Sequence, residues 1–488
     1  GNWLDLYADA DIPETEMFHA DRNILISKFA SSAAHVAGHP LTSAETGTWL
    51  AEHFTETLGD LKGLADDMFL SGVNHIFYHG LCYSPDEAGW PGWHFYASTE
   101  MNPRNSIWRD VPALNAYIAR VQSVLQSGKP DNDILLYWPI EDFWMQPGDK
   151  LLPQLTVHAR DWFEGQPIGR TAKELWDKGY SFDYVSDAQL KMAKVVNQKY
   201  LCYNGDYDRY TGTPYEKGII QLASHKYIVV VVPECKFIPL TTFKQLITLA
   251  ENGSTILFDK ELPMDISGAG DLKKKRAEFE LLKTKLIPEW NEDHYENYGY
   301  YRIGKGSVIA KISYPESNSL DYQNELAHEP MAEAGLSFVR RSFDGGWDYF
   351  IANRSTNNFD GWISLGRPAK TAILFDPMTG NAQKAGSRES RQIVSWGKEN
   401  FVSGMDFRLQ LKAGESVILR ALDHWLPADQ VFPFKIYWQT NGQPIEIAGP
   451  WNVKFITGGP TLPADFQTAK LASWTTFPDT NTQAFAGT

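Results

Sequence analysis

The chain has 488 residues, a formal net charge of -15 and 13% aromatic side chains, with 17 Trp among them. Nucleic-acid surfaces need clustered Lys and Arg, and the only basic run, Lys273–Arg276, shares a helical stretch with Glu278 and Glu280, so a phosphate-binding surface is disfavoured. The length suits three or four soluble domains, and no segment reaches the ~18 apolar residues of a membrane span.

The first informative element is Asp11-Ile-Pro-Glu-Thr-Glu16. In an extended segment Glu14 and Glu16, at i and i+2, look into one space. Acids that close share or shift a proton, hold a cation, or stand solvated in a loop. Ile24, Phe29, Ala33 and Val36 then show helical spacing, His39–Glu45 is a short apolar run ending in an acid, and Phe54, Leu58, Leu61, Leu64 and Met68 mark a second helix. Val73–His79, rich in β-branched and aromatic residues, is stopped by Gly80.

Strand and helix in alternation predict a parallel sheet or a (β/α)₈ barrel, in which catalytic groups gather at the C-terminal ends of strands. Glu16, Glu45 and His79 fall at three such ends. A lone His on an apolar strand is as well read as a core residue, but His75 on the same strand favours a polar cavity. Trp90, Trp93, Phe95, Tyr96 and Trp108 crowd the next stretch. Flat aromatic faces suit sugar rings, so Trp93, Tyr96 and Trp108 are candidate pocket walls, although core packing is the commoner fate of any single Trp. Glu100, beside this stretch, and Glu141, at the end of the strand run Leu135–Ile140, are further carboxylates.

Asp110 and Pro112 predict a helix start and Gly128 its end. From Asp133 a second α/β region follows, with strands at Asp133–Pro139, Phe182–Val185, Tyr227–Pro233 and Ser254–Phe258 and helices at Thr171–Lys178 and Thr241–Glu251. Its element lengths suggest a flavodoxin-like open sheet, and without a Gly-rich phosphate loop it offers no nucleotide site. From about 335 short strands and turns predict a β-sandwich, and after about 430 another β module begins. Cys82, Cys202 and Cys235 are widely spaced and imply neither a disulfide framework nor a zinc site.

Several runs together resemble the α-L-rhamnosidases of glycoside hydrolase family 106. They are Gly1-Asn-Trp-Leu-Asp-Leu-Tyr-Ala8, the Pro-Glu-Thr-Glu run ending at Glu16, Ser43-Ala-Glu45, Gly72-Val-Asn-His75, Tyr78-His-Gly80, Tyr83-Ser-Pro85, Gly92–Ser98, Asn102-Pro-Arg-Asn105, Arg120–Gln126 and Gly179–Asp187. Gly449-Pro-Trp451, Gly458-Gly-Pro460 and Ser473-Trp474 resemble, more loosely, the opening of an accessory β-sandwich of sugar hydrolases.

The resemblance implies an α/β plus β architecture in four parts. Residues 1–130 would be the C-terminal part of a (β/α)₈ catalytic barrel, and 131–330 a flavodoxin-like α/β domain. Residues 331–428 would be a β-sandwich, and 429–488 the start of a truncated galactose-binding-like β-sandwich. It also implies removal of terminal α-L-rhamnosyl residues from a glycan or glycoside with inversion, a calcium ion near the substrate hydroxyls, and a periplasmic or extracellular full-length protein. Carried onto this sequence, Glu16 takes the place of the general acid, Glu45 that of the base or a metal ligand, and Glu14 that of a calcium ligand. Asn74, His75, His79 and Asn105 become binders of sugar hydroxyls.

Such chemistry needs one protonated carboxyl at the leaving oxygen and one ionised carboxylate to activate water, roughly 6.5–9.5 Å apart for inversion. Repulsion from Glu14 is expected to raise the Glu16 pKa, and a calcium ion at Glu14 would reverse that effect. Glu100 and Glu141 remain alternatives for the base. Two rival readings are the same architecture acting on another sugar, in the manner of a β-galactosidase, and a carbohydrate-binding remnant without turnover.

Overall fold

A computed structural model describes the chain except for residues 146–153, 200–215, 289–297, 312–325, 327, 394–400, 428, 440 and 441. Three short parallel strands, β1 (Glu14–Met17), β2 (Ser43–Thr46) and β3 (His75–Tyr78), lie side by side in that order. Helix α1 (Trp3–Ala8) precedes them, α2 (Ile24–Ala37) links β1 to β2, and α3 (Leu58–Leu70) links β2 to β3. Helix α4 (Val111–Leu125) follows the aromatic stretch.

Local chemistry explains the boundaries. Asn23 accepts the Ile26 N–H to start α2, and Gly38, at φ 87°, ends it in the left-handed conformation that a side chain resists. Thr57 and Asp60 cap α3 reciprocally. Register then sets the site. Glu16 is the partner of Glu45, which is in turn the partner of Phe77, so the two carboxylates leave adjacent strands toward the same face.

A seven-stranded sheet forms the second region. Taking β5 (Ile134–Tyr137), β6 (Phe182–Val185), Val229–Val232, Thr255–Phe258 and Gly306–Lys311 as strands one to five, the parallel order is 2-1-3-4-5, with Tyr298–Ile303 and Ile287–Pro288 added antiparallel at one edge. Strands β5, β6, Val229–Val232 and Thr255–Phe258 are buried at every position, as strands covered on both faces must be. One covering layer comes from the N-terminal region. Leu4, Ile26, Phe29 and Ala33 of α1 and α2 share a core with Leu136, Trp138, Phe182 and Tyr184, and Phe29 stacks on Tyr184 at 4.1 Å between ring centres. The first two regions are therefore one packed body across residue 130.

Beyond residue 335 two antiparallel sheets enclose one apolar core. Tyr349, Ile351, Leu374 and Leu419 come from one sheet, and Ile363, Phe407 and Leu409 from the other. β4 (Lys129–Pro130) adds to the first of these sheets through Leu336–Phe343. Arg340 fastens the junction. Its guanidinium is 1% exposed and meets Asp131 at 2.6 Å, Asp133 at 2.9 Å and Glu329 at 2.5 Å.

In the last region, Trp451–Val453 pairs with Phe466–Thr468 and Gly458–Gly459 with Ala486–Gly487. Gly459 lies against the Trp90 indole, where a Cβ would come within 2.6 Å of the ring. Cys82 and Cys235 are free thiols, and Cys202 lies outside the described residues. Among the described residues no helix is long and apolar enough to cross a membrane.

Candidate active site

Glu16, Glu45 and His79 converge beyond the C-terminal ends of β1, β2 and β3. One donor atom from each lies within 4.8 Å of the other two. Thr48, on the loop after β2, ties the group together, because its hydroxyl donates to Glu16 Oε1 at 2.5 Å and lies 3.0 Å from His79 Nδ1. A hydroxyl has a single proton. With that proton on Glu16, Thr48 offers His79 a lone pair, so the His79 Nδ1 carries the hydrogen, and Glu45 Oε1 stands 3.4 Å from the same nitrogen. Phe95 closes one side edge-on to His79 at 5.5 Å, and Tyr96 lies beside Phe95 at 4.7 Å.

A fourth group arrives from a distant part of the chain. His158 Nε2 is 3.2 Å from Glu16 Oε2, its Nδ1 is 2.7 Å from Asp21 Oδ2, and Phe18 stacks on its ring at 3.6 Å. Burial alone would raise the Glu16 carboxyl. Hydrogen bonds from His158 and Thr48 and the charges of His158 and His79 outweigh that effect and hold Glu16 below the ordinary range. Burial likewise opposes the His158 imidazolium, but its hydrogen bonds to Asp21 and Glu16 raise it to about 9. The rise expected for Glu16 from its neighbour Glu14 is not realised, since the shift runs the other way.

The remaining sequence candidates divide. Glu14 is exposed on the same face, held by the Ser43 hydroxyl at 3.3 Å, and stands outside the three-residue cluster. Asn74 is buried before β3, at the opposite end of the strand from His79. Its Oδ1 accepts the Thr42 N–H, and its Nδ2 donates to Pro40 O at 3.0 Å and Leu125 O at 3.4 Å. It secures loops and has no donor to spare for a sugar. His75 opens β3 at that same far end. Asn105 is also buried, its amide spent on Thr99 O and Glu100 O with Glu56 Oε1 at 3.5 Å.

Trp93 and Tyr96 are strongly exposed on the aromatic loop, and Trp108 sits in a single helical turn before α4. Glu100 is buried, accepting the Phe95 N–H at 2.7 Å and facing the Cys82 N–H at 3.4 Å, so it braces the aromatic loop. Its neighbour Glu56 is raised by burial and by the Glu100 charge, although Asn105 pulls it back. Glu141 opens a short helix, Ile140–Trp144.

Reading the sequence missed His158, Asp21, Phe18 and Thr48. Thr48 could have been found from its place two residues after Glu45 in the strand-end loop. For His158 no local signal exists.

Of the oxygens a calcium ion takes, this cluster supplies those of two carboxylates, with an imidazole nitrogen beside them, and Glu14 stands outside it.

Facing carboxylates at the ends of parallel strands, walled by aromatics, are the architecture of a glycoside hydrolase. Residues 1–389 match the family model of the α-L-rhamnosidases, and the chain belongs to that family, glycoside hydrolase family 106. The structure of a rhamnosidase from Novosphingobium sp. PP1Y is similar over 99% of this chain and 41% of its own length, with a TM-score of 0.66 and 18% identity. A Formosa agariphila protein provisionally named a β-glucuronidase is 24% identical over 332 residues, 67% of this chain and 23% of its own. A β-galactosidase from Bacillus circulans sp. alkalophilus aligns over 86% of this chain and 61% of its own, at a TM-score of 0.48 and 11% identity. The chain thus spans well under half the length of the rhamnosidase and about a quarter of the Formosa protein.

Proposed function

We propose that the chain carries the active site of an exo-acting glycosidase that removes terminal α-L-rhamnosyl residues, with Glu16 as the acid. The supporting observation is the in-register pair Glu16 and Glu45, opening with His79 into one aromatic-walled space. Glu16 is ionised in the free site, and His158, raised to about 9, is protonated beside it. One proton is therefore stored between the two groups. Substrate that excludes water and places a leaving oxygen against Glu16 draws this proton onto the carboxyl and then onto the departing alcohol.

His79 grips a ring hydroxyl. An oxygen of Glu45 comes within 4.8 Å of one of Glu16 in the free site, and an inverting pair holds its carboxyl groups roughly 6.5–9.5 Å apart to admit water. Glu45 is the carboxylate placed to take the proton of the attacking water once substrate and water part the pair. Calcium enters no step of this scheme.

Glu16→Gln and Glu45→Gln should be compared on aryl rhamnosides with good and poor leaving groups, with the product anomer read by NMR. Loss of the acid should slow the poor leaving group far more than the good one. Loss of Glu45 should slow both alike. A Glu16→Gln enzyme that treats both substrates equally would refute the acid assignment. A panel of nitrophenyl glycosides turned over no faster for rhamnose than for galactose would remove the sugar assignment.

A further inference from the structure

A cavity of about 470 Å³ lies away from the Glu16 cluster, where α2, the end of the helix Pro167–Asp177, β6 and the strand Leu336–Phe343 meet. It shares no residue with the catalytic cluster, and its size is that of small-molecule sites. Trp176 gives it an apolar wall, and Asn132 and Ser337 give it neutral polar groups.

Lys28, on the second turn of α2, is the unusual member. The residue is only 5% exposed and lines the cavity. Its Nζ lies 3.8 Å from Asp183 Oδ1 and 5.3 Å over the Phe182 ring, and neither contact is a hydrogen bond.

Asp183 is drawn elsewhere: its Oδ2 takes the Asn132 amide at 2.8 Å and the Tyr227 hydroxyl at 3.0 Å, while its Oδ1 takes His35 Nδ1 at 3.0 Å and stays 3.8 Å from Nζ. Among the described residues no acceptor reaches the Lys28 ammonium, a group with three donors. An ammonium with its donors unmet is costly to bury, and burial pushes Lys28 down from the ordinary lysine range. The open side of that ammonium is the cavity. Two other cations line the same space but are spent, Arg340 on three carboxylates and Arg354 on Asp67.

The remaining lining narrows the ligand. Asp177 and Glu333, both exposed, add two negative charges that repel a polyanion. An aromatic face with an amide and a hydroxyl suits a polyhydroxylated ring. We infer that this cavity binds a single carboxylate-bearing sugar of monosaccharide size, a hexuronate, with its carboxylate on Lys28 and its ring on Trp176. Such a ligand meets the buried donors and stacks its C–H face on an aromatic wall. The site stands or falls independently of the catalytic assignment.

Saturation-transfer NMR and calorimetry with glucuronate, glucose and acetate test it, on the wild-type chain and on Lys28→Met, Ser337→Trp and Glu45→Gln. The wild type should bind glucuronate at least tenfold more tightly than either glucose or acetate. Lys28→Met should bring glucuronate down to the level of glucose. Ser337→Trp, which fills the cavity and leaves the lysine in place, should abolish binding even if the methionine variant folds poorly. Glu45→Gln should change nothing. Equal binding of glucuronate and glucose by the wild type, acetate binding as tightly as glucuronate, unchanged selectivity in both cavity variants, or loss in Glu45→Gln would each overturn the inference.

Discussion

His158 and Glu16 are 142 residues apart in sequence, and their side chains meet at 3.2 Å. The contact joins the end of β1 to the segment that leads into the helix Pro167–Asp177 of the second region, so the electrostatics of the candidate acid depend on a residue outside its own sheet. Asp21 fixes the far side of the imidazole at 2.7 Å and Phe18 fixes its plane. The result is a clamped, charged ring aimed at one carboxylate oxygen.

Replacing His158 with Gln should therefore raise the Glu16 pKa, because a hydrogen-bonded positive charge that favours the ionised form is lost. Because Glu16 acts as the acid, the basic limb of kcat/KM against pH, which in the wild type holds until His158 loses its proton near 9, is expected to move downward in the variant. Stability carries a second signature. The folded His158 pKa of about 9 lies above its unfolded value, so its contribution is complete below about pH 6.5 and disappears as pH rises through 9. A wild-type Tm that declines between these limits, and a His158→Gln Tm that does not, would show the linkage. Parallel Tm curves would mean that the contact does not couple to folding.

Thr48→Val keeps the shape and removes the hydroxyl that donates to Glu16 and faces His79. Hydrogen bonds to charged groups contribute about 1.5–3 kcal/mol, and each 1.4 kcal/mol is about tenfold in rate, so kcat/KM should fall by about 10- to 100-fold. Circular dichroism and Tm should stay near wild type, since the site is at the sheet rim. A loss below twofold would show that Glu16 is held adequately by His158 alone.

The comparison of sequence and structure follows the range of the interactions. Glu16, Glu45 and His79 were legible because strand ends follow from local periodicity and the parallel register makes equivalent ends neighbours. The second-region strands were legible from unbroken apolar runs such as Val229–Val232. Asn74 and His75 were misplaced because the strand His75–Tyr78 begins with His75 and separates Asn74 from His79, enough to carry both to the other end of the sheet. His158 was illegible for a different reason. Its neighbours Val157 and Ala159 show no pattern, and only the three-dimensional return of the loop brings it to Glu16. The boundary expected at residue 130 follows the change of sheet, but the apolar faces of α1 and α2 cross it, and amphipathicity alone does not say which sheet a helix will cover.

Asn74→Ala separates a loop-securing role from a sugar-binding one. The substitution orphans the Thr42 N–H and the carbonyls of Pro40 and Leu125 in a buried place. Leaving such groups unsatisfied costs about 1–3 kcal/mol, so the denaturation midpoint should fall while KM for a rhamnoside stays put. A raised KM with unchanged stability would restore Asn74 to the sugar site.

Arg340→Met tests what binds the α/β sheet to the β region behind it. Methionine fills much of the arginine's volume but leaves Asp131, Asp133 and Glu329 facing one another, with Arg367 still close by, 3.1 Å from Asp131 and 2.5 Å from Asp133. Removing one partner of a buried ion network costs about 3–5 kcal/mol. The pH dependence gives the mechanism away. In the wild type, burial would raise Asp131, but the charges of Arg367 and Arg340 hold it down at about 2. Its stabilising contribution is thus present above its unfolded pKa and is lost only as pH falls through about 2. In Arg340→Met, Asp131 loses one of the two charges that hold it down and gains a proton more readily than in the wild type, so the variant should recover part of its deficit as pH drops from 7 toward 4. Chemical denaturation at both pH values measures this directly. A deficit equal at pH 7 and pH 4 would place the cost in lost packing and not in stranded charge.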